Sequence, residues 1–160
     1  MLNIDQPEYW MRLALEEAKL ALAEDEVPVG AVVVRDGALL GRGHNRNRAL
    51  ADPTAHAEML ALTAACQAAQ EARLDGADIY VTLEPCPMCA GAIVLARIAQ
   101  LYYGTSDPHA GACGTLMDIV REPRLNHIVE VYRGLEADEC GKLLSEFFSR
   151  LRDDSGRAGQ

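Results

Sequence analysis

Apolar residues near the start of the chain recur at helical spacing. Met11, Leu15, Ala18 and Leu22 form a stripe that Trp10 and Leu13 widen, which predicts a helix over 8–24 docked on a core. The pattern then changes. "VPVGAVVVRDG" is a β-branched run closed by Asp36-Gly37, a hairpin-turn signal, and "ALLGRGHN" reads as the returning strand. Asp52-Pro53-Thr54 signals a helix start, and the alanine-rich segment after it predicts a helix to about Gln70. "ADIYVTL" is a short apolar strand, "PCPMCAGAIVLARI" a loop entering a helix, and "AQLYYGT" a further strand. A glycine-bearing loop, "SDPHAGACGTLMD", leads to a fifth strand, "HIVEVYRG", and a last amphipathic helix, "LEADECGKLLSEFFSRLR". The closing "DDSGRAGQ" reads as a flexible tail over 153–160, leaving one domain over 1–152. The order is α-β-β-α-β-α-β-β-α. One hairpin followed by β-α-β crossovers implies an α/β fold: a five-stranded mixed sheet with helices on both faces.

Composition narrows the classes. A chain of 160 residues is long enough to bury a core and short enough to be one domain. It holds no apolar run that could span a bilayer, and "MLNIDQPEYW" is not a secretory signal, so a cytoplasmic location is expected. The cysteines are Cys66, Cys86, Cys89, Cys113 and Cys140, an odd number, so a disulfide framework is not expected. The isolated Cys66, Cys113 and Cys140 are expected to be small buried hydrophobes. A net charge of −9 argues against a general nucleic-acid binder. The acidity is concentrated before residue 27, whereas Arg35, Arg42, Arg46 and Arg48 face only Asp36 in their segment, so local basic spots remain.

Candidate chemistry centres on "LEPCPMCAGA". Cys86 and Cys89 lie three apart where a strand gives way to a helix, so both thiols can converge on one point, and the helix N-terminus favours thiolate. Alone, the pair fits a redox couple, half of a structural zinc site or two ligands of a catalytic metal. The discriminator lies 30 residues upstream, where His56-Ala57-Glu58 is expected in the first turn of the preceding helix. His56 supplies a third ligand, and Glu58 can hang over the open side of the metal. One histidine, two cysteines and a free fourth position make a catalytic zinc arrangement. Zinc with two thiolates and a neutral imidazole is formally uncharged and can bring the pKa of a bound water to about 7. A carboxylate beside that water can take its proton and hand it on, which suits hydrolytic deamination of an amidine-like ring carbon.

These motifs resemble the zinc-dependent cytidine/deoxycytidylate deaminase superfamily. "EVPVGAVVV", "DPTAHAEMLAL", "IYVTLEPCPMCAGAI" and "GACGTLMD" are similar to the bacterial tRNA-specific adenosine deaminases, with the similarity running from about Trp10 to Phe148. The resemblance implies a three-layer α/β/α cytidine-deaminase-like fold and one zinc ion per subunit. It implies a homodimer acting on a tRNA anticodon stem-loop, with the wobble adenosine of an arginine tRNA converted to inosine. It also implies zinc ligation by His56, Cys86 and Cys89 and proton transfer by Glu58. By the same resemblance Asn45 would hydrogen-bond the flipped nucleoside, Val29 would line the base pocket, and Asp107 would approach the anticodon backbone or ribose. Phe148, Arg150 and Arg152 would contact RNA, with Phe147 buried. The plainer readings are a strand-ending turn residue for Asn45 and ordinary core for Val29. Ser106, His109, Cys113 and His44 stand at positions where relatives differ, and the C-terminal segment is less basic than in some.

Three rivals remain at this level. A guanine, cytosine or nucleotide deaminase shares "HAE" and "EPCPMC". A thiol oxidoreductase predicts a reversible Cys86–Cys89 disulfide without zinc. A non-catalytic zinc module that binds RNA needs a fourth protein ligand.

Overall fold

The computed structural model describes residues 2–159. Its elements follow the expected order: α1 (Pro7–Ala23), β1 (Gly30–Arg35), β2 (Ala38–His44), α2 (Ala57–Ala69), β3 (Asp78–Leu83), α3 (Pro87–Leu95), β4 (Gln100–Thr105), β5 (Glu130–Arg133) and α4 (Ala137–Ala158). The five strands form one sheet in the order β2-β1-β3-β4-β5. β1 is antiparallel to both β2 and β3, while β3, β4 and β5 run parallel. The mixed α/β sheet with helices on both faces is therefore as expected.

Strand alternation assigns the two faces. Ala31, Val33, Ile79, Val81, Leu101 and Tyr103 point into the core shared with α2 and α3. Val32, Val34 and Tyr80 point the other way, against Trp10, Met11, Ala14 and Leu15 of α1 and Cys140 of α4. The Asp36-Gly37 turn joins β1 to β2 with φ of +52° and +71°, the left-handed pair that matches a hairpin's twist. α2 lies unusually close to β2. A Cβ at Gly43 would come within 2.9 Å of the backbone of Ala57 and Ala61, and one at Gly41 would overlap Ala61 and Ala65. Alanines four apart on α2 and alternate glycines on β2 thus let two backbones meet and fix the start of α2 beside the end of β2.

Four details differ from the sequence reading. α2 begins at Ala57, later than the Asp52-Pro53-Thr54 signal. Asp52 instead closes a local turn, its Oδ1 accepting from the Thr54 N–H at 2.8 Å and hydroxyl at 2.7 Å. β5 spans only Glu130–Arg133. Cys66 is half-buried, while Cys113 and Cys140 are buried as expected. α4 continues through Asp153 to Ala158, where a flexible tail was expected. Ser155 and Arg157 extend the exposed helix without a core contact to mark it in the sequence, and Gln160 lies outside the described residues.

The rung Asp78–Gln100–Glu130 crosses the parallel strands at their start. Burial, with Glu130 nearby adding to it, pushes the Asp78 carboxyl up to about 6. The folded chain therefore keeps that proton above the pH where an unfolded aspartate releases it. Stability is lost as pH rises from about 4 to about 6. Asp78→Asn should raise stability at pH 7.5 by about 1 kcal/mol, after allowing for the half-exposed position, and gain little below pH 4. Denaturant melts at the two pH values check this; an equal gain at both contradicts it.

Candidate metal centre and active site

The topology gathers chemistry at one end of the sheet. β1 begins, and β2, β3 and β4 end, on the same side, because β1 runs antiparallel to β2 and β3 while β4 runs with β3. The chain leaves these strands as Val27 and Val29, as Asn45 and Asn47, as Glu84 and Cys86, and as Asp107 and Ala110. With His56 and Glu58 these residues line a cavity of about 290 Å³. Carboxyl ends of strands beside a switch in strand order are where open α/β sheets bind ligands.

His56 is the residue before α2, with extended φ/ψ of −78° and 153°, and it has no side-chain capping bond. Cys86 holds the same place before α3, with Pro87 as the first helical residue. Cys89 follows one turn on and is fully buried. His56 thus stands just outside the helix, where its side chain is free to turn towards α3. Its Nδ1 lies 3.6 Å from Cys86 Sγ and 3.5 Å from Cys89 Sγ. All three ligand atoms are within 4.8 Å of one another. A sulfur at about 2.3 Å and a nitrogen at about 2.0 Å from one tetrahedral ion would stand about 3.5 Å apart. The observed separations therefore fit a single zinc-sized ion. Among the described residues, His56, Cys86 and Cys89 are the group that could hold a metal, with no fourth protein ligand.

Electrostatics agree with a cation at this point. Cys86 is held down to about 4, chiefly because the Cys89 thiol donates to its sulfur, with His56 and the Cys89 backbone N–H adding to this against burial. Cys89 is pushed up by giving that hydrogen and by burial. His56 is raised, first by its hydrogen bond with Cys86. Cys86 therefore already carries a negative charge, steadied by the Cys89 thiol and the His56 ring, and a divalent ion would draw off the second thiol proton.

Glu58 sits in the first turn of α2, 4% exposed, facing the cavity. Burial holds its carboxyl above the ordinary range. A carboxyl able to keep or give up a proton beside an open metal position is equipped for acid–base work. Asn45 Oδ1 accepts the Ala57 N–H at 2.8 Å. It satisfies an orphan donor of α2 from outside the helix and leaves its own NH₂ turned from α2.

Of the expected site residues, Val29, Asn45, His56, Glu58, Cys86 and Asp107 meet at this cavity, with Cys89 behind Cys86. Phe148, 44% exposed, lines a neighbouring cavity of about 450 Å³ that shares Val27, Leu83 and Asp107 with the first. Phe147 is buried. Arg150 and Arg152 lie further along α4 on its exposed side and line neither cavity; Arg150 pairs with Glu146 at 2.6 Å. Sequence reasoning missed Glu84, Asn47 and Ala110. Only Glu84 carried a signal, a carboxylate directly after an apolar strand and before Pro85.

The chain matches the family model described as MafB19-like deaminase over residues 5–152. It is 49% identical over 147 residues to a tRNA-specific adenosine deaminase of Bacillus subtilis (strain 168), covering 92% of this chain and 91% of the relative. A solved structure of a tRNA:A34 deaminase superposes with a TM-score of 0.82 at 49% identity, covering 85% of this chain and 99% of that one. A guanine deaminase from Nitrosomonas europaea superposes less closely, with a TM-score of 0.74 at 29% identity over 89% of this chain and 84% of that one. With its sheet, its three-ligand cluster and its buried glutamate, this chain belongs to the tRNA-specific adenosine deaminase family.

Proposed function

We propose that this protein hydrolytically deaminates the wobble adenosine of a tRNA anticodon loop, that of an arginine tRNA, to inosine and ammonia. The observation that carries the reading is the three-ligand His56/Cys86/Cys89 cluster beside buried Glu58 at the floor of a one-base cavity. At about 290 Å³ the cavity is at the small end of ligand pockets (about 300–1,000 Å³), which suits a single splayed-out base. The 49% identity to a deaminase of tRNA, against 29% and 33% to two guanine deaminases, supports an anticodon over a free base.

In this reading His56, Cys86 and Cys89 hold one zinc ion per subunit, which supplies the Lewis acidity that makes water a nucleophile near neutral pH. Glu58 takes a proton from the attacking water and passes it to N1 of adenine as the new C–O bond forms at C6. It then moves the proton of the C6 hydroxyl to the amino group. The C6–N bond breaks, ammonia leaves, and the product carries C6=O and N1–H, so water and adenosine balance inosine and ammonia. Asn45 offers its NH₂ to the nucleoside, and Val29 supplies an apolar wall. Asp107 stands at the mouth towards the ribose and backbone, and Phe148 lines the next cavity, where a flanking base can stack. Arg150 and Arg152 extend the RNA contact along α4.

The protein acts as a homodimer in this account. An apolar trough between α2 and α3, where Met59, Leu62 and Ala92 meet Leu95 at 76% exposure, supports self-association. No helix among the described residues is long and apolar enough to cross a membrane. A substrate in the translation machinery supports a cytoplasmic location. The test is ammonia release from an anticodon stem-loop compared with free guanine, cytosine and cytidine. The stem-loop alone should react; turnover of a free base with the stem-loop untouched would overturn the reading.

A further inference from the structure

Glu84 directly follows β3, two residues before Cys86, and is 2% exposed, yet it takes no part in the chemistry above. Its carboxylate collects four hydrogen bonds from the crossover between β4 and β5. Oε1 accepts from the Asp107 N–H at 3.2 Å and the Thr115 hydroxyl at 2.5 Å. Oε2 accepts from the Cys113 N–H at 3.0 Å and the Thr115 N–H at 3.2 Å. The loop also approaches too closely for any side chain at one point, since a Cβ at Gly111 would stand 2.5 Å from the Glu84 carboxyl carbon. Between β4 and β5 the loop has no helix or strand of its own, only an isolated bridge between Cys113 and Asp118. Several of its backbone N–H groups bond within the loop, but those of Asp107, Cys113 and Thr115 take their acceptor from the buried Glu84 carboxylate.

That loop carries a wall of the nucleobase cavity. Asp107 and Ala110 line it, and Asp107 Oδ1 orders the tip by accepting the His109 N–H at 2.9 Å and the Ala110 N–H at 3.2 Å. The same loop is tied back to the ligand-bearing segment, where the Ala112 N–H donates to Pro85 O at 2.9 Å.

We propose that Glu84 is a positioning residue for substrate. Its carboxylate sets the distance between the start of α3, which bears Cys86 and Cys89, and the Asp107–Ala110 wall, and so the width of the space that grips the base. Glu84 touches no reacting atom, so its loss acts on substrate affinity more than on the chemical step. The inference rests on the deaminase reading above for its substrate, but the loop-holding role stands on the hydrogen bonds alone.

Three variants test it. Glu84→Gln keeps the shape but turns an NH₂ group towards backbone donors. Gly111→Ala keeps the carboxylate and forces the loop away. Thr115→Val removes one donor at an exposed position and leaves folding intact. Zinc content should stay at the unsubstituted level in all three. KM for the anticodon stem-loop should rise about tenfold in Glu84→Gln and Gly111→Ala and about threefold in Thr115→Val, with kcat changed less than about threefold. Amide hydrogen exchange at Asp107 and Cys113 should accelerate by about tenfold or more in Glu84→Gln. Unchanged KM in folded, zinc-loaded variants, or a fall in kcat at constant KM, overturns the proposal. Should Glu84→Gln not fold, the other two variants decide by the same readouts. An inactive unsubstituted protein would overturn the substrate reading instead, and amide exchange would still decide whether Glu84 holds the loop.

Discussion

Glu58→Gln should retain a full complement of zinc, keep its melting temperature within a few degrees, and lose turnover by about 10²–10⁴-fold. The size follows from the place of Glu58. It is buried in the first turn of α2, faces the cavity, and stands outside the group of metal-ligating atoms. The reaction needs one group to remove a proton from water and return it first to N1 and then to the departing amine. Glutamine fills the same volume but exchanges no proton. Glu58 is pushed above the ordinary carboxyl range chiefly by burial, so it is well matched to giving back what it takes. Metal analysis alongside single-turnover kinetics checks the prediction. Loss of zinc from the variant would make Glu58 a ligand, and substantial residual turnover would remove it from the proton path.

Cys86→Ala should have the second large effect, through a different quantity. Removing one of three protein ligands should lower bound zinc from about one per chain to below about a tenth, with activity falling in proportion. The melting temperature should also fall, because an ion bound only by the folded state stabilises that state. Treating the unsubstituted protein with a chelator should reproduce both losses, and added zinc should restore them there but not in Cys86→Ala. Full zinc retention in Cys86→Ala would refute the ligand assignment. A reversible Cys86–Cys89 disulfide in the unsubstituted protein would favour redox chemistry instead.

The two variants separate roles that share a space a few ångströms wide. His56 and Cys86 are both the residues before a helix, and their backbones are extended. Each helix therefore points its N-terminus at the same place, where positive dipole ends favour thiolates. The sequence motifs show the donors and their spacing. The hairpin and the β3-α3-β4 crossover bring the two helix starts together, which spacing alone does not show.

Much of this was legible in the chain. The stripe of Met11, Leu15 and Ala18, the Asp36-Gly37 turn and the apolar strands gave every element in order, because each buries a face with a simple period. That His56, Cys86, Cys89 and Glu58 gather at one place was legible because metal-ligating and proton-exchanging chemistry is tied to residue type. The start of α2 was misplaced because its capping acceptor is Asn45, 12 residues away, and no local signal marks His56 as the boundary. The last turns of α4 were missed because Asp153 to Ala158 are exposed and carry no periodic apolar residue. Glu84 was passed over because its partners lie 23 to 31 residues downstream in a loop whose path no propensity fixes. Phe148 was distinguished from Phe147 by expecting one core face on the helix, and the structure separates them in that way.

The central claim is that this cavity takes one adenosine out of an anticodon loop and replaces its amino group with oxygen. The most direct measurement is position-resolved detection of inosine in an anticodon stem-loop bearing adenosine at the wobble position and at a flanking loop position. The account predicts stoichiometric conversion of the wobble adenosine, none at the flanking site, and none with Glu58→Gln. Conversion at both positions alike, or no inosine while a free nucleobase releases ammonia, would contradict it.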